Sequence, residues 1–232
     1  MGTMQLKIVS WNIFGGKKLP EIIQCLSEAK PDIIGLQEVM QDEGGANNSA
    51  KAIADALGYT YIYETTTLLI PSISHLLEKH NIETPMEWGN AILSKYPISD
   101  SNVHVLSGDR KRTALEGTVK IGDKDLHVFS THIVYAPVQP SEIQATQAQN
   151  LLKVLPKENG LVMGDFNMTP DSKIIENIGS IMVNTEKDPM KHTSDNKKID
   201  YIFSTTDVKI LSNGTLDSQA SDHLPIYTII EI

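Results

Sequence analysis

Cysteine is almost absent from this chain of 232 residues. With Cys25 alone, no internal disulfide can form and a cysteine-rich zinc site is excluded. Cys25 falls inside a helical pattern and reads as an inert core thiol. Long apolar runs are missing too, and the opening MGTMQLKIVSWNIF has no basic stretch followed by an apolar one. The expectation is a soluble, cytoplasmic protein with no membrane span and no evident obligate protein partner. An N-myristoylation pattern fails because Leu6 stands where Ser or Thr is needed. Met1-Gly2-Thr3 ahead of Met4 reads as an addition that would hide a longer natural start. Positive charge is scarce: 20 Lys and Arg stand against 29 Asp and Glu, a formal net charge of −9 and a pI near 5.2. That excludes a generally basic nucleic-acid coat and leaves only a local patch possible. Some of the surplus acid could serve as metal ligands, whose charge a dication would offset.

What is present is ample apolar content, 40%, and a regular mixture of two periodicities. Period two marks strands at 6–14, 32–39, 59–64, 90–94, 103–106, 114–121, 125–132 and 161–165, with more near 181–184, 199–204, 207–211 and 225–231. Helical spacing marks 19–28, 49–57, 141–155 and 171–178. Strands mixed with helices and no long linker predict one α/β domain over 1–232. One segment interrupts the pattern: TTTLLIPSISHLLEKHNIETPMEW, residues 65–88, carries a short helical pattern between prolines. It reads as an insert, either a lid or recognition segment or a plain surface excursion.

The chemistry-bearing residues fall at strand ends. In GLVMGDFNMTPDS the apolar Leu161-Val162-Met163 ends in Gly164, then Asp165 and Asn167 flank Phe166. Period two would put Asp165 and Asn167 on one face and Phe166 on the other, while Thr169 and Pro170 read as a helix N-cap and first turn. A shared polar site and a local Asx-turn explain this corner equally well. Asn12 closes the first strand, Glu38 the second and His132 a later one; Asp200 opens a strand, and Asp222 and His223 precede the last. Each has a local explanation as a turn, cap, core or loop residue. Those explanations must hold separately at every position, whereas one common site needs a single cause. Glu38, Asp165 and Asp222 meeting at one rim would repel one another and so imply a cation. Oxygen ligands from carboxylate and amide suit Mg²⁺ or Mn²⁺ better than zinc. Such a site serves phosphoester hydrolysis, with acid-oriented water and imidazole donors.

The segments SWNIFGG, PDIIGLQEV, GNAILSKYPI, STHIVYAP, VMGDFNMTPDS, KIDYIFS and SDHLPI, in that order, resemble the endonuclease/exonuclease/phosphatase superfamily over nearly the whole chain. The resemblance implies two mixed β-sheets packed as a sandwich and flanked by helices, a deoxyribonuclease-like four-layer α/β fold with the site at one edge. It implies Glu38 as the principal metal ligand with Asn12 beside it and Asp222 completing the site. Asp165 would orient or deprotonate the attacking water, and Asn167 would hold the phosphate. His223 would stabilise the transition state, with Asp200 fixing its tautomer. His132 matches the deoxyribonuclease-type position and would assist the leaving oxygen. Arg112 falls where a phosphate-contacting arginine is common, although Arg110 and Lys111 beside it also suit a solvated turn; Glu87 could support His132. The remaining histidines, His75, His80, His104, His127 and His192, read as structural or surface residues, and Trp11 and Phe166 as core. The substrate expected from the resemblance is DNA or another phosphodiester, with a small phosphorylated metabolite, inositol phosphate or lipid head group as the alternative. A non-catalytic binding module would have lost some ligand, and none is missing.

Overall fold

The computed structural model describes residues 3–42, 44–69, 86–106, 111–138, 140–188 and 190–232. Along the chain these form β1 (Gln5–Asn12), a 3-10 turn (Phe14–Gly16), α1 (Leu19–Ala29), β2 (Ile33–Asp42), α2 (Ser49–Leu57), β3 (Thr60–Leu69) and β4 (Met86–Ser94). There follow β5 (Ile98–Val105), β6 (Thr113–Ile121), β7 (Lys124–His132), α3 (Glu142–Val154), β8 (Gly160–Asp165) and α4 (Lys173–Gly179). The last strands are β9 (Val183–Asn184), β10 (Asp200–Ser204), β11 (Lys209–Thr215) and β12 (Ile226–Glu231).

Two mixed six-stranded sheets result, ordered β11-β12-β1-β2-β4-β3 and β5-β6-β7-β8-β10-β9. Three apolar clusters place them in four layers. Leu6, Ile8, Ile33, Val128, Leu161 and Met163 fill the space between the sheets. Trp11, Ile22, Leu26, Leu36 and Ile53 seal α1 and α2 against the first sheet, and Phe129, Leu151, Phe166, Ile178 and Phe203 seal α3 and α4 against the second. Each fully buried Leu, Ile or Val contributes on the order of 2 kcal/mol, and this apolar interior supports the polar rim described below.

Helix ends follow local chemistry. Asn48 caps α2 by accepting from Lys51 N, and Ser141 with Gln144 forms a reciprocal capping box on α3. Several expectations change. The second strand does not close at Glu38 but runs on to Asp42, since the ladder with β4 resumes at Val39 after a bulge. Thr169 and Pro170 do not open a helix: Ser172 N donates to Thr169 O at 3.0 Å, closing a turn with Pro170 at its second position, and Ser172 is the N-cap of α4. The strand ending at Glu64 in the sequence reading runs on to Leu69, because the β-branched Thr65, Thr66 and Thr67 keep the ladder with β4 going through a bulge. Both flanks of the expected insert are therefore sheet; its centre, 70–85, lies outside the described residues.

Among the described residues, the parallel pairs are β1 with β2 in one sheet and β7 with β8 in the other. Antiparallel neighbours β12 and β10 start where β1 and β8 end, with Ile226 opposite Ser10 and Asp200 opposite Asp165. Ends of parallel strands and starts of their antiparallel partners thus share one edge of the sandwich.

Candidate active site

Asp165 closes β8 and is 2% exposed. Gly164 allows the chain to reach this point, since a Cβ there would lie 1.9 Å from the Thr131 carbonyl oxygen on β7. Asp165 Oδ1 accepts from Asn167 N at 2.8 Å. The Asx-turn is therefore real, and it builds the site: Asn167, with φ +51°, leaves the strand period and turns its amide to His132. Nδ2 of Asn167 lies 3.1 Å from His132 Nε2 and donates to Ile133 O at 3.0 Å. Phe166 points the other way, as expected, and packs edge-on against Tyr201 and Phe203.

The second oxygen of Asp165 is the centre of the constellation. Asn12 Nδ2, at the end of β1, donates to Oδ2 at 3.2 Å. His132 Nε2, at the end of β7, stands 3.4 Å away, and His223 Nε2 stands 3.8 Å away. The other ring nitrogen of His223, Nδ1, is 2.9 Å from Asp200 Oδ2. Six residues separated by up to 211 positions in the chain thus meet: Asn12, His132, Asp165, Asn167, Asp200 and His223. Glu38 joins through charge, its carboxylate adding to the repulsion at Asp165. It has φ +54° and lies in a bulge of β2, between the Leu36 and Val39 pairings to β4. Phe14, Glu38 and Asn167 are all non-glycine residues at positive φ along this edge, which places backbone strain at the site. Asp222 is exposed and raises the proton affinity of its neighbour His223.

Arg112 is half-buried just before β6, where its carbonyl accepts from Leu106 N at 2.8 Å. Glu87 is committed elsewhere: its carboxylate accepts from Gln41 Nε2 and from Thr65 Oγ1, so β2 and β3 hold it in place of His132. The reason is register, since Glu87 pairs with Gln41 across the β2–β4 ladder.

Burial is the chief force on Asp165, pushing its carboxyl up toward neutrality, with Asp200 and Glu38 pushing the same way and His223 and the Asn167 N–H opposing. On His223 burial opposes the charge, but Asp200 and Asp165 outweigh it and hold the imidazole up at about 10. The His223 ring thus lies between the carboxyl groups of Asp200 and Asp165. Asp200 Oδ1 is buried and accepts no hydrogen bond among the described residues. Glu38 and Asp222 add negative charge beside Asp165, Asp200 and His223, and carboxylate oxygens of this kind fit a hard dication. Among the described residues, the carboxylate and imidazole ligand atoms of Asp165, Asp200 and His223 lie within 4.8 Å of one another.

Several supporting residues gave no signal in the sequence reading. Gln144, fully buried on α3, donates from Nε2 to Val134 O at 3.0 Å and to Asn167 O at 3.2 Å. Gln147 Oε1 accepts from Val134 N at 3.0 Å. Thr193 Oγ1 accepts from Asp200 N, Leu224 N donates to Thr193 O, and Trp11 Nε1 donates to His223 O. The cue available for the glutamines was polar residues recurring on the inner side of a helix, at 144 and 147.

A model of the endonuclease/exonuclease/phosphatase family matches residues 9–223. The chain belongs to this family. Its members are phosphoester hydrolases and are generally dependent on a divalent metal. No curated protein gives a significant match. Among solved structures, an endonuclease/exonuclease/phosphatase from Beutenbergia cavernae shares 20% identity at a TM-score of 0.84, covering 98% of this chain and 72% of its own. The human Nocturnin catalytic domain with a bound sulfate anion shares 17% at 0.75, covering 99% and 96%. ANGEL2, a 2',3'-cyclic phosphatase in complex with adenosine-2',3'-vanadate, shares 18% at 0.71, covering 99% and 96%. These likenesses bear out the two-sheet, helix-flanked fold of the sequence reading.

Proposed function

We propose that this phosphoesterase-family protein hydrolyses a phosphodiester in a nucleic acid or nucleotide by in-line attack of water, with Mg²⁺ or Mn²⁺ bound. The observation that carries the proposal is the single buried oxygen, Asp165 Oδ2, faced by Asn12 and His132 from the ends of β1 and β7 and by His223 from the loop before β12. Asn12, Glu38 and Asp222 would hold the ion. A dication there supplies counter-charge to the acid cluster and polarises the phosphoryl oxygen.

The chain's own groups do the rest. Asp165, made more basic by burial, accepts the proton of the attacking water. His223 stays charged because Asp200 holds Nδ1, so Nε2–H remains aimed beside Asp165, where it donates to the phosphoryl oxygens as charge builds. Asn167 and Arg112 hold the phosphate, and His132 assists the departing oxygen. The net charge of −9 favours a short or single nucleotide unit over a long duplex. The adenosine bound by ANGEL2 and the sulfate bound by Nocturnin support nucleotide and phosphate recognition on this fold.

The test is a substrate panel in Mg²⁺ or Mn²⁺: plasmid DNA, an abasic-site duplex, single-stranded RNA, a dinucleotide, inositol phosphates and sphingomyelin. Turnover of a nucleotide phosphodiester, lost in EDTA and restored by either ion, is the expected result. Full activity in chelator, or turnover confined to phosphomonoesters, overturns the proposal.

A further inference from the structure

All thirteen aromatic residues of the chain lie among the described residues, and twelve are buried or half-buried. The exception is Tyr135, which is 56% exposed. It sits three positions beyond His132, so its Cα lies within about 11 Å of that of the histidine. Apolar surface open to water beside a reaction centre is a cost unless something covers it in use.

The backbone beneath this ring is unusually well fixed. Ile133 N donates to Asp165 O at 2.9 Å and Ile133 O accepts from Asn167 Nδ2 at 3.0 Å. Val134 N donates to Gln147 Oε1 and Val134 O accepts from Gln144 Nε2, each at 3.0 Å. The main chain of both residues ahead of Tyr135 is thus held, Ile133 by Asp165 and Asn167 and Val134 by the fully buried Gln144 and Gln147. Ile133 and Val134 are themselves buried, so their main-chain groups take these partners in place of water, and the exposed ring of Tyr135 follows directly on this anchored stretch. After the buried Ala136, Pro137 and Val138 return to solvent, and Val138 is 78% exposed.

We infer that Tyr135 is a stacking platform for the nucleobase adjoining the scissile phosphate, and so a specificity-determining residue that selects nucleotide phosphodiesters. The inference rests on the proposed nucleotide phosphodiesterase reading and narrows its substrate. A ring held by a fixed main chain loses little freedom when a base stacks on it, and stacking is tolerant of base identity. It also supplies affinity without positive charge, which a protein with a net charge of −9 has little of to offer.

The experiment compares two substrates with one phosphodiester backbone, a dinucleotide and its abasic analogue, in wild type, Tyr135→Ala and Tyr135→Phe. The wild type should prefer the dinucleotide through KM. Tyr135→Ala should raise KM for the dinucleotide roughly tenfold with kcat little changed and erase the preference, and Tyr135→Phe should restore it. An unchanged preference in Tyr135→Ala overturns the inference, as does a KM rise confined to sphingomyelin, which would assign the ring to a lipid head group. If the wild type turns over neither substrate, the hydrolytic reading falls, and calorimetric binding of the dinucleotide to metal-free protein decides the platform separately. Binding that weakens in Tyr135→Ala and recovers in Tyr135→Phe supports it; equal binding in all three overturns it.

Discussion

On the helix-facing side of the second sheet, Glu116 Oε2 lies 2.8 Å from His104 Nε2 and Oε1 lies 3.4 Å from His127 Nδ1. At the rim, Asp200 Oδ2 lies 2.9 Å from His223 Nδ1, and Asp165 Oδ2 lies 3.8 Å from Nε2 of the same ring. Both groups join carboxylate to imidazole at similar distances, but they are built differently. Glu116 is one carboxylate shared by two rings on neighbouring strands, and those rings are 26% and 39% exposed. His223 is one ring shared by two carboxylates, and it is 9% exposed. Water screens the first group and spreads its charge. In the second, the neighbouring carboxylates outweigh burial and hold the proton on the ring, and a carboxylate oxygen is left facing a common space. A short contact alone does not distinguish the two groups; the burial of the second does.

The largest effects should come from cutting the rim at its centre. Asp165→Asn and His223→Ala should each lower kcat/KM by about a thousandfold or more, with the circular dichroism spectrum unchanged. Loss of the folded spectrum would make both residues structural and erase the distinction between the two groups.

Asp200→Asn should act through His223 and so cost less, roughly 10- to 100-fold. Its distinguishing readout is the proton on the ring. In the metal-free wild type, His223 is held up at about 10, so it should remain protonated past pH 8 by NMR titration. The folded pKa exceeds the unfolded value of about 6.5, so the stabilisation is full below 6.5 and fades as pH rises toward 10. Asp200→Asn removes the leading opposing charge, and the ring should then titrate lower. An unshifted ring in that variant would mean that Asp165 alone holds the proton.

How much of this contrast could be read in the sequence depends on which force sets each feature. Asn12, His132, Asp165 and Asp200 were legible as polar residues at the ends of apolar strands, whereas Glu38 falls inside β2 and His223 in the loop before β12; the strands and helices expected outside 65–88 exist. The five-residue extension of β3 and the two-residue shift of the α4 start were not legible, because a bulge at Thr66 depends on pairing with β4 and the turn closed on Thr169 holds the chain out of the helix. Glu38 at positive φ was hidden for the same reason: a bulge is a property of two strands. Gln144 and Gln147 were illegible because an inward glutamine has meaning only once the main chain of Val134 is known to need partners. The Glu116 group was hidden by diagonal register, since His104 faces Ala114 and His127 faces Thr118, one position pair to either side of Glu116. The Asx-turn at Asp165 shows that a local and a functional explanation of one corner need not exclude each other.

The smallest effect tests the other half of the contrast. Glu116→Gln keeps the side-chain shape and removes the charge that the two rings share. Because the site is wet and each ring retains a hydrogen-bonding partner, unfolding free energy in urea should fall by at most about 1 kcal/mol. kcat/KM should stay within a factor of about two of wild type, since no bond links Glu116 to the β7 end: His127 and Phe129 lie on the same strand as His132, but the contacts of the rim run through Asn167 and Asp165. A tenfold loss of activity would show that strand β7 transmits strain from its helix-facing side to His132, and burial alone would then no longer separate the two groups.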